Sequence, residues 1–180
     1  MRLADFRYEE IKRVIVSFFT KHRINSIPIN GFEIAVKLGI EIVPYSAYKH
    51  QDGIIEIMKK MSNEGFTDGN RIFYNDDGSN SYERINWTIL HELAHILLKH
   101  SEDSNLAEAE AQFFSGYAIA PPVLILQLNI KDPWELSDKF GLSLEASTYA
   151  FARYQKWLRY GGEFYTDYEI QLCENFNLAV

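Results

Sequence analysis

Apolar residues recur at the three- and four-residue spacing of an amphipathic helix over residues 4–21. A short second helix is predicted from an Asn30 cap to Gly39, a residue type that often ends helices. Asn80 likewise predicts the start of a long helix, which stays apolar over much of its surface through Leu97. Further helices are predicted over residues 106–118, 122–127, 132–139 and 143–160.

Three short runs rich in β-branched and aromatic residues predict strands over residues 40–43, 53–58 and 71–74. Pro44 stops the first run, and turn residues at 68–70 precede the third. Helices before and after three strands predict an α+β fold. We expect a small three-stranded antiparallel or mixed sheet packed against a helical bundle.

Composition and charge narrow the class of protein. The chain has 180 residues, enough for one domain with a sizeable core, and no apolar stretch has the length of a membrane span. With 18 basic and 25 acidic residues, the net charge of -7 argues against direct nucleic-acid binding. Cys173 is the only cysteine, which excludes an internal disulfide and a multi-cysteine metal site. Because the start of the sequence also lacks a secretory signal, we expect a cytoplasmic protein.

The long helix carries the motif His91-Glu92-Leu93-Ala94-His95, which is H-E-x-x-H. Side chains four residues apart on a helix share a face, so the imidazoles of His91 and His95 can bind one Zn²⁺ ion. Glu92 follows His91 and lies to one side of the metal, where a base can take a proton from an attacking water. The motif predicts metal-assisted hydrolysis, most often of a peptide bond.

A zinc site of this kind takes a third protein ligand and leaves its fourth position to water. On a continued helix, His100 would lie about 140° from the His91/His95 face, so we expect an exposed residue near the helix end. Glu108 and Glu110 on the following helix are better candidates, and being two residues apart they cannot share a face. Glu108 shares its side with small residues that permit close packing, so Glu108 is the predicted ligand and Glu110 the alternative. Both could also be ordinary acids at a helix start.

The segment 136–146 has the pattern of a helix–turn–helix. A DNA-binding role would use Arg153, Lys156 and Arg159 on the helix that follows its turn. In a chain of this net charge we favour the structural interpretation, a helical hairpin beside the predicted catalytic core.

Residues 84–100 place an arginine, an aromatic residue and a threonine before H-E-L-x-H, and residues 108–121 form an E-x-E-A helix pattern followed by proline. A weaker stretch, 35–40, precedes them. In this order they resemble the ImmA/IrrE family of zinc metallopeptidases over residues 30–157. The resemblance implies a gluzincin-like site in which the glutamate three residues before the alanine, here Glu108, binds zinc.

We therefore expect a zincin-like core over residues 1–120 that carries the H-E-x-x-H helix, a helical part with the hairpin over 121–160, and a tail over 161–180. By the same resemblance, Zn²⁺ would be bound by His91, His95 and Glu108. Gln112 stands where the family has asparagine or aspartate, and its amide oxygen could still accept a hydrogen bond from a histidine.

The resemblance also implies a protein substrate. Some members of the family cleave helix-turn-helix repressors, and others act in stress responses, so we expect a zinc peptidase with one specific protein substrate of this kind. Backbone of a strand near the site, 53–58 or 71–75, would hold an extended substrate by edge pairing. The alternative is a regulatory protein that keeps the core but acts by contact with protein or DNA.

Overall fold

The structure is a computed structural model that describes residues 2–102, 104–161 and 164–179. The contacts of the chain divide it into two units. The sheet unit is Asn30–Asp103, and the helical unit combines Met1–Ile29 with Ser104–Val180. The α+β class predicted from the sequence is confirmed, and the predicted domain boundaries at 120 and 160 stay a prediction.

The described residues form nine α-helices: α1 (Asp5–His22), α2 (Gly31–Leu38), α3 (Ile54–Met61), α4 (Tyr82–Leu97), α5 (Asn105–Ile119), α6 (Pro122–Gln127), α7 (Pro133–Phe140), α8 (Leu144–Tyr160) and α9 (Asp167–Asn175). The strands are β1 (Glu41–Pro44), β2 (Gly65–Asp68) and β3 (Arg71–Tyr74), with a short 3-10 helix at Tyr45–Tyr48. Across the part of the chain that the structure describes, none of the helices has the length and apolar composition needed to cross a bilayer.

Helix α2 of the sheet unit begins and ends as predicted. The Asn30 side chain accepts hydrogen bonds from the N–H groups of Phe32 and Glu33, and Gly39 ends the helix in the left-handed conformation, with φ 69°. The chain then enters β1, which pairs in parallel with β3, while β2 pairs with β3 in antiparallel fashion. The sheet is therefore small, three-stranded and mixed, with the order β1–β3–β2.

One of the three predicted strands is wrong, because residues 53–58 belong to helix α3 and its cap. Gly53 precedes the helix with φ 75°, and Met58 is buried while Ile57 and Met61 are exposed. The β-branched isoleucines of this segment indicated a strand. A helix forms instead, because its inner face packs on a small core that contains Met58, Tyr45 and Phe73.

The sheet takes its third strand from β2, which sequence reasoning missed. The strand begins with Gly65 and ends with Asp68, and both residue types are typical of turns. It forms because Gly69, with φ 62°, closes a hairpin that pairs β2 with β3. Phe66 then stacks on Phe73 across the hairpin, with ring centroids 4.9 Å apart.

Helix α4 begins one residue later than predicted. The hydroxyl of Ser81 caps it by accepting a hydrogen bond from the N–H of Arg84 at 3.3 Å. The side chain of Asn80, the predicted cap, instead donates to the carbonyl oxygen of Asn75 at 3.1 Å. Asn80 therefore stabilises the loop before the helix.

A glycine stands at the contact of α4 with each of two neighbours, α2 and β2. A Cβ atom at Gly31 of α2 would lie 2.9 Å from Cγ2 of Ile89, and one at Gly65 of β2 would lie 2.7 Å from Cγ2 of Thr88. Both contacts are closer than carbon atoms tolerate, so the backbones approach α4 as far as packing allows. Because α2 and β2 pack against Ile89 and Thr88, the face of α4 that carries His91 and His95 is a different one.

In the helical unit, α1 packs on α5 and α9. Arg7 on α1 donates through Nε and Nη2 to the two carboxylate oxygens of Glu110 on α5, at 2.7 and 2.6 Å. Tyr168 on α9 donates to the carboxylate of Glu9 on α1 at 2.6 Å. The segment predicted as a tail over 161–180 thus contains a helix that packs on α1.

Helices α7 and α8 form a hairpin joined through Gly141, which has φ 62°. Arg153 of α8, one of three cations available for DNA, donates through Nη2 to the carbonyl oxygen of Gly116 on α5. Tyr154 beside it is buried. The helix therefore turns part of its basic and aromatic surface into its own unit, which favours the structural interpretation of the hairpin.

We expect Gly65→Ala to lower the free energy of unfolding by about 1–3 kcal/mol, because the new methyl group would overlap Thr88 and the carbonyl oxygen of Phe73. Gly78→Ala is the matched control, since a Cβ atom there meets no atom within 4 Å. It should change stability by less than about 0.5 kcal/mol. Urea unfolding of both variants measures the difference, and equal stability of the two would contradict the close packing of β2 on α4.

Candidate metal centre

Helix α4 places the imidazoles of His91 and His95 one turn apart on the same face. Their Nε2 atoms lie 3.2 Å from each other, and their ring centroids lie 5.0 Å apart. Two nitrogens bound to one tetrahedral zinc ion at 2.0–2.1 Å would be separated by about 3.3 Å. The two rings are thus already spaced as a pair of ligands to a single ion. Both residues are half-buried, so the face they share is held by packing yet open to solvent.

Trp87 and Arg84, which precede the motif on α4, contribute to the packing around His91. The Trp87 ring packs on the His91 ring with centroids 5.1 Å apart, one helical turn before it. The guanidinium of Arg84 lies 5.9 Å from the centre of the Trp87 ring and forms an ion pair with Glu64. The half-buried Trp87 ring therefore restrains the ring of His91 from one side.

Glu92, the predicted base, is held by strand β2. The hydroxyl of Thr67 donates a hydrogen bond to Oε2 of Glu92 at 2.8 Å. Thr67 and Gly65 share one face of β2, while Glu92 and Thr88 are one turn apart on α4, so the close approach at Gly65 brings Thr67 within reach. Sequence reasoning missed Thr67, because the strand that carries it was not predicted.

Tyr45 is a second residue near Glu92 that the sequence did not indicate. It is buried, and its hydroxyl donates to the carbonyl oxygen of Ser62 at 3.0 Å. Burial, together with the negative charge of Glu92, raises the pKa of Tyr45 to about 12. The hydroxyl therefore stays neutral at physiological pH and remains a hydrogen-bond donor. The short 3-10 helix that carries Tyr45 has no signal in a sequence pattern.

The two candidate third ligands have different surroundings. Glu108 is exposed in the first turn of α5 and belongs, with His91 and His95, to a group of residues that could hold a metal ion. Glu110 is buried, and both its oxygens accept hydrogen bonds from Arg7. The group that could hold a metal ion therefore contains Glu108, while Glu110 neutralises the charge of Arg7.

The donor set fits a zinc ion. Imidazole nitrogens and carboxylate oxygens are both common ligands of Zn²⁺, and three protein ligands leave one position of a tetrahedron for water or substrate. The 3.2 Å spacing of the two Nε2 atoms agrees with this coordination. His91, His95 and Glu108 could thus bind a metal.

His100 does not have the exposed position expected from the sequence. It is half-buried, and its Nδ1 atom lies 3.0 Å from Nδ1 of His95. The expectation assumed that the helix continues to His100, whereas α4 ends at Leu97. Gln112, the residue expected to accept a hydrogen bond from a histidine, is exposed on α5.

His91, His95 and Glu108 could share one metal ion, and the carboxylate of Glu92 follows His91 on the same helix. Metal-dependent peptidases have sites of this class. The chain belongs to the Peptidase M78 family, the IrrE N-terminal-like domain, whose family model matches residues 37–151. This match confirms the resemblance inferred from the sequence and supports a metallopeptidase-family function. No curated protein and no solved structure matches the chain.

Substitution of each glutamate by glutamine should separate the two functions of α5. We expect Glu108→Gln to weaken zinc binding by at least about tenfold, because loss of even an outer-shell partner of a metal ligand costs 10–100-fold. Glu110→Gln should keep zinc affinity and lower the free energy of unfolding by about 1–3 kcal/mol, because a charge-assisted pair with Arg7 is lost. Chelator competition and urea unfolding give the two measurements. The reverse result, with zinc affinity lost in Glu110→Gln, would make Glu110 the ligand.

Proposed function

We propose that this protein is a zinc-dependent peptidase that hydrolyses a peptide bond in one specific protein substrate. The observation that carries the proposal is the spacing of His91 and His95, whose Nε2 atoms lie 3.2 Å apart within a three-residue group that includes Glu108. Membership of a peptidase family adds independent support.

In this proposal His91, His95 and Glu108 hold the metal, and Glu92 acts as the general base. When bound, zinc would supply Lewis-acid polarisation of the scissile carbonyl and lower the pKa of a water. Glu92 takes a proton from the attacking water and delivers it to the leaving amine. The hydroxyl of Thr67 keeps the Glu92 carboxylate oriented toward this reaction, through its 2.8 Å hydrogen bond to Oε2.

Strand β2 is the edge that we assign to the substrate. The segment 53–58 is helical, and β3, which contains 71–74, already has a partner on each side. Both strands predicted from the sequence to bind substrate are therefore unsuitable. Among the described strands, β2 lies at an edge of the sheet and carries Thr67. An extended peptide paired with β2 would lie beside the carboxylate of Glu92.

A helix-turn-helix repressor is the kind of substrate that we propose, on the support of the family resemblance. The competing hypothesis is a regulatory protein that acts by contact with protein or DNA. Its DNA-binding form loses support because Arg153 donates to the Gly116 carbonyl within its own unit. Lys156 and Arg159 remain exposed on α8. Two cations on a chain of net charge -7 are a weak basis for DNA binding.

We expect Glu92→Gln to abolish peptide hydrolysis while zinc remains bound, because the amide cannot accept a proton and is not a proposed ligand. The assay incubates zinc-loaded protein with a complex peptide library and identifies new termini by mass spectrometry. Glu41→Gln, at an exposed position of β1, is the control and should cleave as the wild type does. Removal of zinc by a chelator should stop cleavage, and added zinc should restore it. Equal cleavage by Glu92→Gln and wild type, or no cleavage by zinc-loaded wild type, would contradict the proposal.

A further inference from the structure

Helix α4 ends in a backbone motif that reverses the chain directly after the metal-binding motif. Lys99 adopts the left-handed conformation with φ 57°. The N–H of Lys99 donates to the carbonyl oxygen of Ile96 at 3.2 Å, and the N–H of His100 donates to that of His95 at 3.0 Å. These two bonds define a Schellman motif, in which the sixth residue returns to the first.

This motif normally brings two side chains into contact. One lies three residues before the C-cap of the helix, and the other lies two residues after it. In most proteins the pair is hydrophobic. Here the two positions hold His95 and His100, whose Nδ1 atoms lie 3.0 Å apart with the rings at 76° to each other. The turn thus places one imidazole edge-on against another.

The hydrogen bond between these two rings has a defined direction once His95 binds a metal. Nε2 of His95 faces Nε2 of His91, so Nε2 is the ligand atom and the proton of the neutral ring lies on Nδ1. Nδ1 of His95 is then the donor. Nδ1 of His100 must accept, with its own proton on Nε2.

We propose that His100 is a positioning residue that fixes the tautomer and ring orientation of the metal ligand His95. This inference rests on the proposed zinc site and assigns the outer-shell contact of His95 to the cap of the same helix. His95 lies in the last turn of α4, where a helix frays most readily. His100, which the capping motif places beside His95, therefore restrains a predicted metal ligand in the least stable turn of the helix.

Outer-shell partners of metal-binding histidines typically raise metal affinity by about 10- to 100-fold. His100→Ala should therefore weaken Zn²⁺ binding by about that factor. His100→Asn should recover most of the loss, because its side-chain oxygen can take the place of Nδ1 as acceptor. His50→Ala, which removes an exposed histidine, should bind zinc as tightly as the wild type does.

The measurement is competition for Zn²⁺ against a chromophoric chelator, with circular dichroism of each zinc-free variant as the check on folding. Equal zinc affinity of His100→Ala and wild type would overturn the inference. An equal loss in His100→Ala and His100→Asn would overturn the hydrogen-bond role. If His100→Ala does not fold, His100→Leu, which also lacks an acceptor, takes its place. Zinc affinity of His100→Leu equal to that of His100→Asn would overturn the inference.

Failure of the proposed function gives a different result. If the wild type itself binds no zinc, the metal site and this inference both fail. If wild type and Glu92→Gln bind zinc tightly and His100→Ala matches them, the site stands and only the inference about His100 fails.

Discussion

The site depends on how α4 is fixed about its own axis. Gly31 and Gly65 allow α2 and β2 to approach two neighbouring faces of this helix so closely that a Cβ atom at either position would overlap Ile89 or Thr88. The N–H of Gly31 also donates to Oδ1 of Asn86 at 2.7 Å in a buried environment. A helix held in this way cannot rotate without breaking a buried hydrogen bond. Its remaining face carries the two histidines.

The fixed orientation of α4 also gives His91 and Glu92, which are adjacent in the sequence, different surroundings. The face that meets β2 carries Glu92, so the strand supplies the hydroxyl of Thr67 and, in the proposed function, the edge for the substrate. On α5 a separation of two residues has a similar effect. Glu110 points into the helical unit and is neutralised by Arg7, while Glu108 is exposed and belongs to the group that could hold a metal ion. On α5 the buried carboxylate is therefore the one that a guanidinium compensates.

Local signals predicted the elements that local chemistry decides. The Asn30 cap and Gly39 marked both ends of α2, and the four-residue spacing of His91 and His95 predicted that their imidazoles share one face of α4. Elements that depend on distant partners were missed: β2 needs β3 to form, and α3 needs the core around Met58. The position of His100 depends on a left-handed residue at Lys99, where the usual glycine signal is absent.

The central claim is that two imidazoles of α4 and one carboxylate of α5 bind a single zinc ion. X-ray absorption at the zinc edge of the metal-loaded protein tests it most directly. The account predicts one zinc per chain with about four nitrogen or oxygen neighbours near 2.0 Å, including the scattering signature of two imidazoles, and no sulfur. A shell of six oxygens, a single imidazole or a sulfur neighbour would contradict it.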